Sequence, residues 1–487
     1  MKNLINVFLF MLPVCSIFAQ PANHQSHQLY VGWSSKSITP DVPVALAGWS
    51  ETRISTEVMD SVICTALAIE TRDGNRSIET AIMVSVDLLQ TGDDLVNRVR
   101  TLVKERLPNF DVNKIILNAT HTHTAPAIID GRYDVPAENM QVRDYVKFAS
   151  ARIADAAVEA WNSRQSAGMS WGLGQAVVGH NRRAIYSNPK SSSFAGGTAV
   201  MYGSTKEDDF LHIEGYEDHG VEMLFFWNDK KKLTGMVLNI ACPSQETESM
   251  FSTISADFWH DVRVEVGKKY GKDVFILLQC AAAGDISPHI WHMSWRNKAE
   301  EEMLKRKGIT RRQEIGRRIV KAIDEVYPYV QNDIKFELVF HHIYDELSIP
   351  VRRVTKAEAL QAEKWLIEKP LQANWHRDVI NRYKEQDNHP FQPTKVNVIR
   401  LGDVVIATNP YELYLDYGLR IKGRSNAILT FIVQLAGGNV TGGGYLTTAK
   451  AEAGGGYGAA VQVCKVGSEG GQELVEKTLE MIHKVIQ

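Results

Sequence analysis

The sequence predicts an α/β fold: a mixed, largely buried sheet flanked by helices, with a metal or catalytic site at the carboxyl ends of strands. Three observations carry this reading. Five short apolar runs, at residues 81–89, 114–117, 236–241, 274–278 and 403–407, have the length and composition of strands. Segments with helical spacing of apolar residues alternate with them. Residues of chemical potential stand directly after the runs.

A strand that is apolar without alternation is buried on both faces, and such strands interleaved with amphipathic helices specify a sheet under helical layers. The run 81–89 is followed by a helical pattern over 94–106. The run 114–117 is followed by a longer one over 142–161. Further helices are predicted over 258–270, 311–326, 356–368 and 471–485. The stretch 300–312 is so densely charged that it reads as a solvated helix surface.

The 487 residues are 44% hydrophobic and 23% charged, an ordinary globular balance with length for a large core. A net charge of −3 and the lack of a basic run leave no electrostatic footprint for nucleic acid. Met1-Lys2-Asn3, the apolar residues 4–18 and Ala19 have the form of a secretory leader cleaved after Ala19. The mature chain, 20–487, is then periplasmic or extracellular. Cys15 is disfavoured as a lipoprotein anchor, because Val14 precedes it where a small residue is needed. No other stretch is long and apolar enough to span a membrane. The remaining cysteines, Cys64, Cys242, Cys280 and Cys464, are too sparse for a disulfide scaffold.

The most informative motif is His121-Thr122-His123, just after the run 114–117. In an extended chain, residues i and i+2 share a side, so both imidazoles are expected to face one pocket. Neutral imidazole is both a metal ligand and an acid–base group. Asp87 ends the run 81–89, and Cys242 follows 236–241. The turn Gly284-Asp285-Ile286-Ser287-Pro288 follows 274–278, and Glu412 follows 403–407. Ligands gather outside the carboxyl ends of strands in open α/β sheets, so these five positions predict a shared site.

Together these segments resemble the catalytic domain of the neutral/alkaline, non-lysosomal ceramidase family, from Val31 to near the C-terminus. Val31-Gly32-Trp33, Ile38-Thr39-Pro40 and Leu46-Ala47-Gly48-Trp49 are similar to its opening. Asn118 to Pro126 is close to its Thr-His-Thr-His-Ser-Gly-Pro block, and Asn181-Arg182 to its Asn-Arg-Ser element. Gly284 to Pro288 resembles its Gly-Asp-Val-Ser-Pro, and Pro410-Tyr411-Glu412 its Pro-Gly-Glu-Phe. Gly444-Tyr445 and Gly456-Tyr457 resemble two tyrosine blocks near its end.

The resemblance implies one zinc ion per chain, held by His121, Glu412, Tyr445 and a fourth ligand. In the family that fourth ligand is a histidine; here Cys242 stands in its place. Cys242 is expected to coordinate directly, thiolate being an ordinary zinc ligand; the alternative is a buried neutral residue, with three ligands supplied by the protein. Glu246 and Glu248 are alternative carboxylates. The resemblance also implies that His123 works beside the substrate, donating to an oxyanion or moving protons. Arg182 offers a fork of donors, with Arg183 competing for that role and His180 in reserve. Tyr457 is a further donor, and Gly454, Gly455 and Gly456 allow close backbone approach. Ser287 matches a serine described in the family as nucleophile or substrate contact. With no Gly-x-Ser-x-Gly elbow and no base beside it in sequence, zinc-activated water is the preferred nucleophile and Ser287 a positioning or oxyanion group. Asp285 is expected to brace the turn.

The expected function is hydrolysis of the N-acyl amide bond of ceramide or a related N-acyl lipid. One alternative is a zinc hydrolase of the same fold acting on a more polar amide or ester. Another is an inactive binding protein with a degraded metal site. The β-rich domain that follows the catalytic one in the family is expected to be missing after 471–485. Oligomeric state is not legible.

Overall fold

The computed structural model describes residues 25–191, 196–369, 372–438 and 444–487. The leader expected at 1–19, with Cys15, lies outside them. The larger sheet contains β1 (His27–Ser37), β2 (Ile63–Asp73), β3 (Arg76–Val86), β4 (Ile115–Ala119), β5 (Gln165–Gln175), β6 (Gly220–Asn228), β7 (Leu233–Ile240) and β8 (Phe275–Cys280). Their order is β8-β7-β6-β5-β1-β2-β3-β4, with Glu337–Leu338 pairing against β1. The β7/β8 and β3/β4 pairs are parallel, and the remaining neighbours are antiparallel. The sheet is mixed, as expected. A four-stranded sheet runs β9 (Phe340–Pro350), β10 (Phe391–Leu401), β11 (Val404–Thr408), β12 (Leu429–Val433), with only β11/β12 parallel.

Side-chain alternation along these strands builds the layers. Cys64, Ala66 and Ala68 of β2 and Ile82, Val84 and Val86 of β3 face one way. They pack under α1 (Asp93–Arg106) and α2 (Val142–Asn162). Leu67, Ile69, Ala81 and Met83 face the other way and meet Ile399, Val404, Ile406 and Phe431 of the four-stranded sheet. At the other end of the large sheet, Met223, Phe225, Met236, Leu238 and Ile240 are covered by α3 (Phe258–Tyr270) and, beyond the solvated α4 (Ser294–Lys307), α5 (Arg311–Val330). A peripheral pair, α6 (Lys356–Glu368) and α7 (Ala373–Glu385), follows. The outer face of the smaller sheet carries α8 (Leu415–Arg424) and, after the short α9 (Ala449–Gly454), α10 (Ser468–Ile486). The strands that read as buried on both faces are buried: helices cover one side and a second sheet the other.

The predicted helices form within a few residues of their expected ends. The longest extension is α5, which continues to Val330 with Pro328 inside it; its start is fixed by a capping box between Thr310 and Gln313. No residue of α4 is buried, in keeping with the dense charge around 300–312. Two buried amides draw the strand ends together. Asn118 Nδ2 donates to the Leu278 carbonyl at 2.8 Å, joining β4 to β8. Gln434 Oε1 accepts from the amides of Ala283 (3.1 Å) and Leu413 (3.0 Å), joining the loops that follow β8 and β11. Among the described residues no helix is long and apolar enough to cross a membrane.

Candidate functional site

β4 ends at Ala119, and His121 takes a left-handed φ of 64°. The segment is therefore not the extended HxH expected from the sequence. The imidazoles converge nonetheless: their Nε2 atoms are 3.4 Å apart and the rings stand edge to face at 5.0 Å. The His121 amide donates to the Leu88 carbonyl, and Nδ1 lies 2.7 Å from the Leu89 carbonyl. A carbonyl only accepts, so Nδ1 carries the proton and the Nε2 lone pair faces the pocket. His123 packs on Gly48, where a Cβ would come within 2.9 Å of Nδ1. Burial, then the positive neighbours His121, Arg182 and Arg53, hold the His123 imidazole well below its ordinary pKa.

Glu412 and Tyr445 are partners in a two-residue parallel pair. Glu412 Oε2 lies 3.5 Å from His121 Nε2. Burial works to raise its pKa, but hydrogen bonds to His121 and Tyr445 and the charge of Arg182 outweigh it, so the net shift is downward. Arg182 Nη2 donates to the Gly284 carbonyl at 2.9 Å and to Tyr445 Oη at 3.0 Å. The Tyr457 ring stands edge-on to Tyr445 at 5.6 Å, and burial pushes its phenol up to about 12. Gly284 is required here: a Cβ would lie 2.4 Å from the Glu412 carbonyl oxygen. The expected close approach at the glycine run is also present, with Gly456 at φ 84° against the Ala199 carbonyl.

The structure separates Arg182 from its competitors. Arg183 is a buried tether, bonded to Glu214 and to the carbonyls of Gly455 (2.8 Å) and Ala451 (3.3 Å). His180 pairs with Glu217 at 3.2 Å. Asp285 accepts from Asn181 Nδ2 and the Leu415 amide, both at 2.8 Å, and so braces the turn. Asp87 does not join the cluster; it is buried in a two-pronged pair with Arg263. Ser287 lies on a two-residue strand paired with His180–Asn181, and its Oγ is 2.8 Å from Tyr202 Oη.

Cys242 is not drawn in. It is 0% exposed and lies on the same side of the chain as Met236, Leu238 and Ile240, in the apolar cluster under α3 and α5. The adjacent Ala241 faces the cluster that contains Leu413 and Tyr445. The strand ends at Ile240, and a tight turn in which the Cys242 amide donates to the Ile240 carbonyl at 2.8 Å leaves the two side chains in different clusters. Its thiol donates to the Val178 carbonyl at 3.4 Å, and burial drives its pKa well above that of a free thiol. The expectation of direct thiolate ligation is corrected by this geometry.

The donor set for zinc is therefore partial. The spacing of His121 Nε2 and Glu412 Oε2, 3.5 Å, is near the ~3.3 Å edge of a tetrahedron with metal bonds of about 2.0 Å. Tyr445 adds an oxygen beside Glu412. Among the described residues, however, no three or more His, Cys, Asp and Glu side chains form a group arranged to hold a metal. His121, Glu412 and Tyr445 suit the ion, and among the described residues Cys242 is not turned toward them.

Other contributors carry little sequence signal. Glu248 bridges two imidazoles, with Oε2 3.3 Å from His123 Nδ1 and Oε1 2.9 Å from His289 Nε2. Gln245 Nε2 lies 3.0 Å from His123 Nε2. Tyr202 touches Ser287 and lies outside every motif. Only Glu248 was foreshadowed, as an alternative carboxylate.

No family model and no curated protein matches the sequence. Solved structures do match. The fold is similar to that of neutral ceramidase from Pseudomonas aeruginosa, with a TM-score of 0.67 and 15% identity, over 94% of this chain and 75% of that one. It is likewise similar to a ceramidase complexed with C2, with a TM-score of 0.66 and 14% identity, over the same shares. The resemblance carried by the sequence motifs is thus matched in three dimensions: this chain has the neutral ceramidase fold.

Proposed function

We propose that this chain is an exported hydrolase, residues 20–487 after loss of the leader, that cleaves the amide bond of ceramide or a related N-acyl lipid. The convergence of His121, Glu412, Tyr445 and Arg182 on one buried point, within the neutral ceramidase fold, carries this reading. His121, Glu412 and Tyr445 would hold a zinc ion, which supplies a Lewis acid for the carbonyl and lowers the pKa of water.

The chain's own groups set up the rest. The Leu89 carbonyl fixes the His121 tautomer. Glu412 keeps its negative charge despite burial. Arg182 is a permanent cation held by Gly284 and Tyr445, and it stabilises negative charge developing on the amide oxygen. Burial holds the His123 pKa down, Gln245 hydrogen-bonds its Nε2 and Glu248 lies 3.3 Å from Nδ1, so it is suited to accept or pass a proton.

The purified mature protein is tested with a fluorescent N-acylsphingosine and for zinc by elemental mass spectrometry. About one zinc per chain and release of fatty acid, both lost in His121→Ala, are expected. Full activity in His121→Ala would sink this site. The position of Cys242 favours a second reading, a binding protein with a degraded metal site. It gains if neither zinc nor turnover is found after incubation with excess metal.

A further inference from the structure

Ser287 is 0% exposed, and the side chain that lies on its hydroxyl is Tyr202. Tyr202 follows the strand Gly197–Met201 and is half-buried. Its φ is 55°, a conformation that bulky residues rarely hold and that collects at functional sites. Its amide donates to the Arg182 carbonyl at 2.7 Å. The guanidinium of Arg182 stands 5.9 Å from the ring centroid. Trp291, tilted at 5.2 Å and 51% exposed, marks the side open to solvent.

Tyr202 Oη and Ser287 Oγ are 2.8 Å apart, a bond that either hydroxyl can donate. Ser287 Oγ also accepts from the His289 amide at 3.2 Å. Among the described residues no carboxylate or imidazole is hydrogen-bonded to the Ser287 hydroxyl.

Resting on the reading of the site given above, we infer that Tyr202 is the residue that meets the substrate beside Arg182, and that Ser287 is a positioning residue that anchors the Tyr202 phenol. Ser287 is then neither nucleophile nor direct substrate contact. The Tyr202 hydroxyl can present its proton to a substrate oxygen by rotation about the phenol C–O bond, whereas exposure of Ser287 needs the whole Tyr202 side chain to move.

The test is a double-mutant cycle on N-acylsphingosine hydrolysis with Tyr202→Phe, Ser287→Ala and the pair, in the full mature chain. Tyr202→Phe keeps the ring against Trp291 and His289. It is expected to lower kcat about 30-fold with KM changed less than about 3-fold, in the range of a lost transition-state hydrogen bond. Ser287→Ala is expected to cost about 5-fold, and the pair no more than Tyr202→Phe alone. Melting temperatures of all three variants should stay close to that of the parent, separating the effect from misfolding. A larger loss in Ser287→Ala than in Tyr202→Phe, or additive losses, would overturn the inference while leaving the amidase reading intact. A parent protein that releases no fatty acid from any N-acyl lipid overturns both.

Discussion

Glu412 and Tyr445 sit opposite each other in a parallel pair only two residues long, and that pairing puts a carboxylate and a phenol side by side next to the Arg182 guanidinium. Neither residue is placed by its own neighbours in sequence. The pair is held from both flanks, by the Glu412 amide donating to the Gly444 carbonyl and the Tyr445 amide to the Val463 carbonyl.

Glu412→Gln keeps the shape of this pair and removes its charge. It should reduce hydrolysis by at least about 100-fold, since the carboxylate is both a metal-suited oxygen and the counter-charge to Arg182. Steady-state rates on N-acylsphingosine, with zinc content measured in parallel, check this; activity within about 3-fold of the parent contradicts it.

Cys242→Ser should leave metal content unchanged, because the sulfur faces Val178 and the helices. Its cost is to stability: a hydroxyl buried in an apolar cluster loses about 1–2 kcal/mol. Urea unfolding measures this. A Cys242→Ser protein that loses its zinc would restore the thiolate as a ligand.

Arg182 and Arg183 are adjacent yet should fail differently. Arg182→Lys retains a charge but loses the planar guanidinium and the Nη2 bonds to Gly284 and Tyr445, so activity should fall about 100-fold with the melting temperature little changed. Arg183→Met leaves Glu214 buried without its partner and should destabilise the fold by roughly 3 kcal/mol. Equal thermal losses in both variants would contradict the assignment.

Gly284→Ala forces a methyl to 2.4 Å from the Glu412 carbonyl oxygen. The backbone under Glu412 must shift, so both activity and melting temperature should drop. A crystal structure of the variant with Glu412 unmoved would argue against this coupling.

Glu314, at the start of α5, should dominate one part of the acid response. Hydrogen bonds from Arg317, followed by those from Lys307, outweigh burial and lower its pKa to about 2. A carboxylate with a depressed folded-state pKa stabilises the protein above its unfolded value of 4.5, and that contribution fades as pH falls from there toward 2. The difference in urea midpoint between parent and Glu314→Gln should be largest at neutral pH and vanish near pH 2. A pH-independent difference would exclude the linkage.

The sequence by itself determined the α/β class, most helices and strands to within a few residues, and most of the residues proposed for the site. Unbroken apolar runs and helical periodicity are local signals, and His121, Arg182, Ser287, Glu412 and Tyr445 stand in motifs that resemble a known family. Tertiary structure decided what those signals leave open. His121 and His123 meet through a left-handed turn rather than an extended strand. A tight turn after Ile240 leaves Cys242 among the residues under the helices, a one-residue distinction that composition does not encode. The second face of the large sheet is covered by another sheet, because burial on both sides says nothing about what does the burying. Tyr202 and Glu248 enter the site only through contacts between segments far apart in the chain, and such contacts leave no periodic trace in a single sequence.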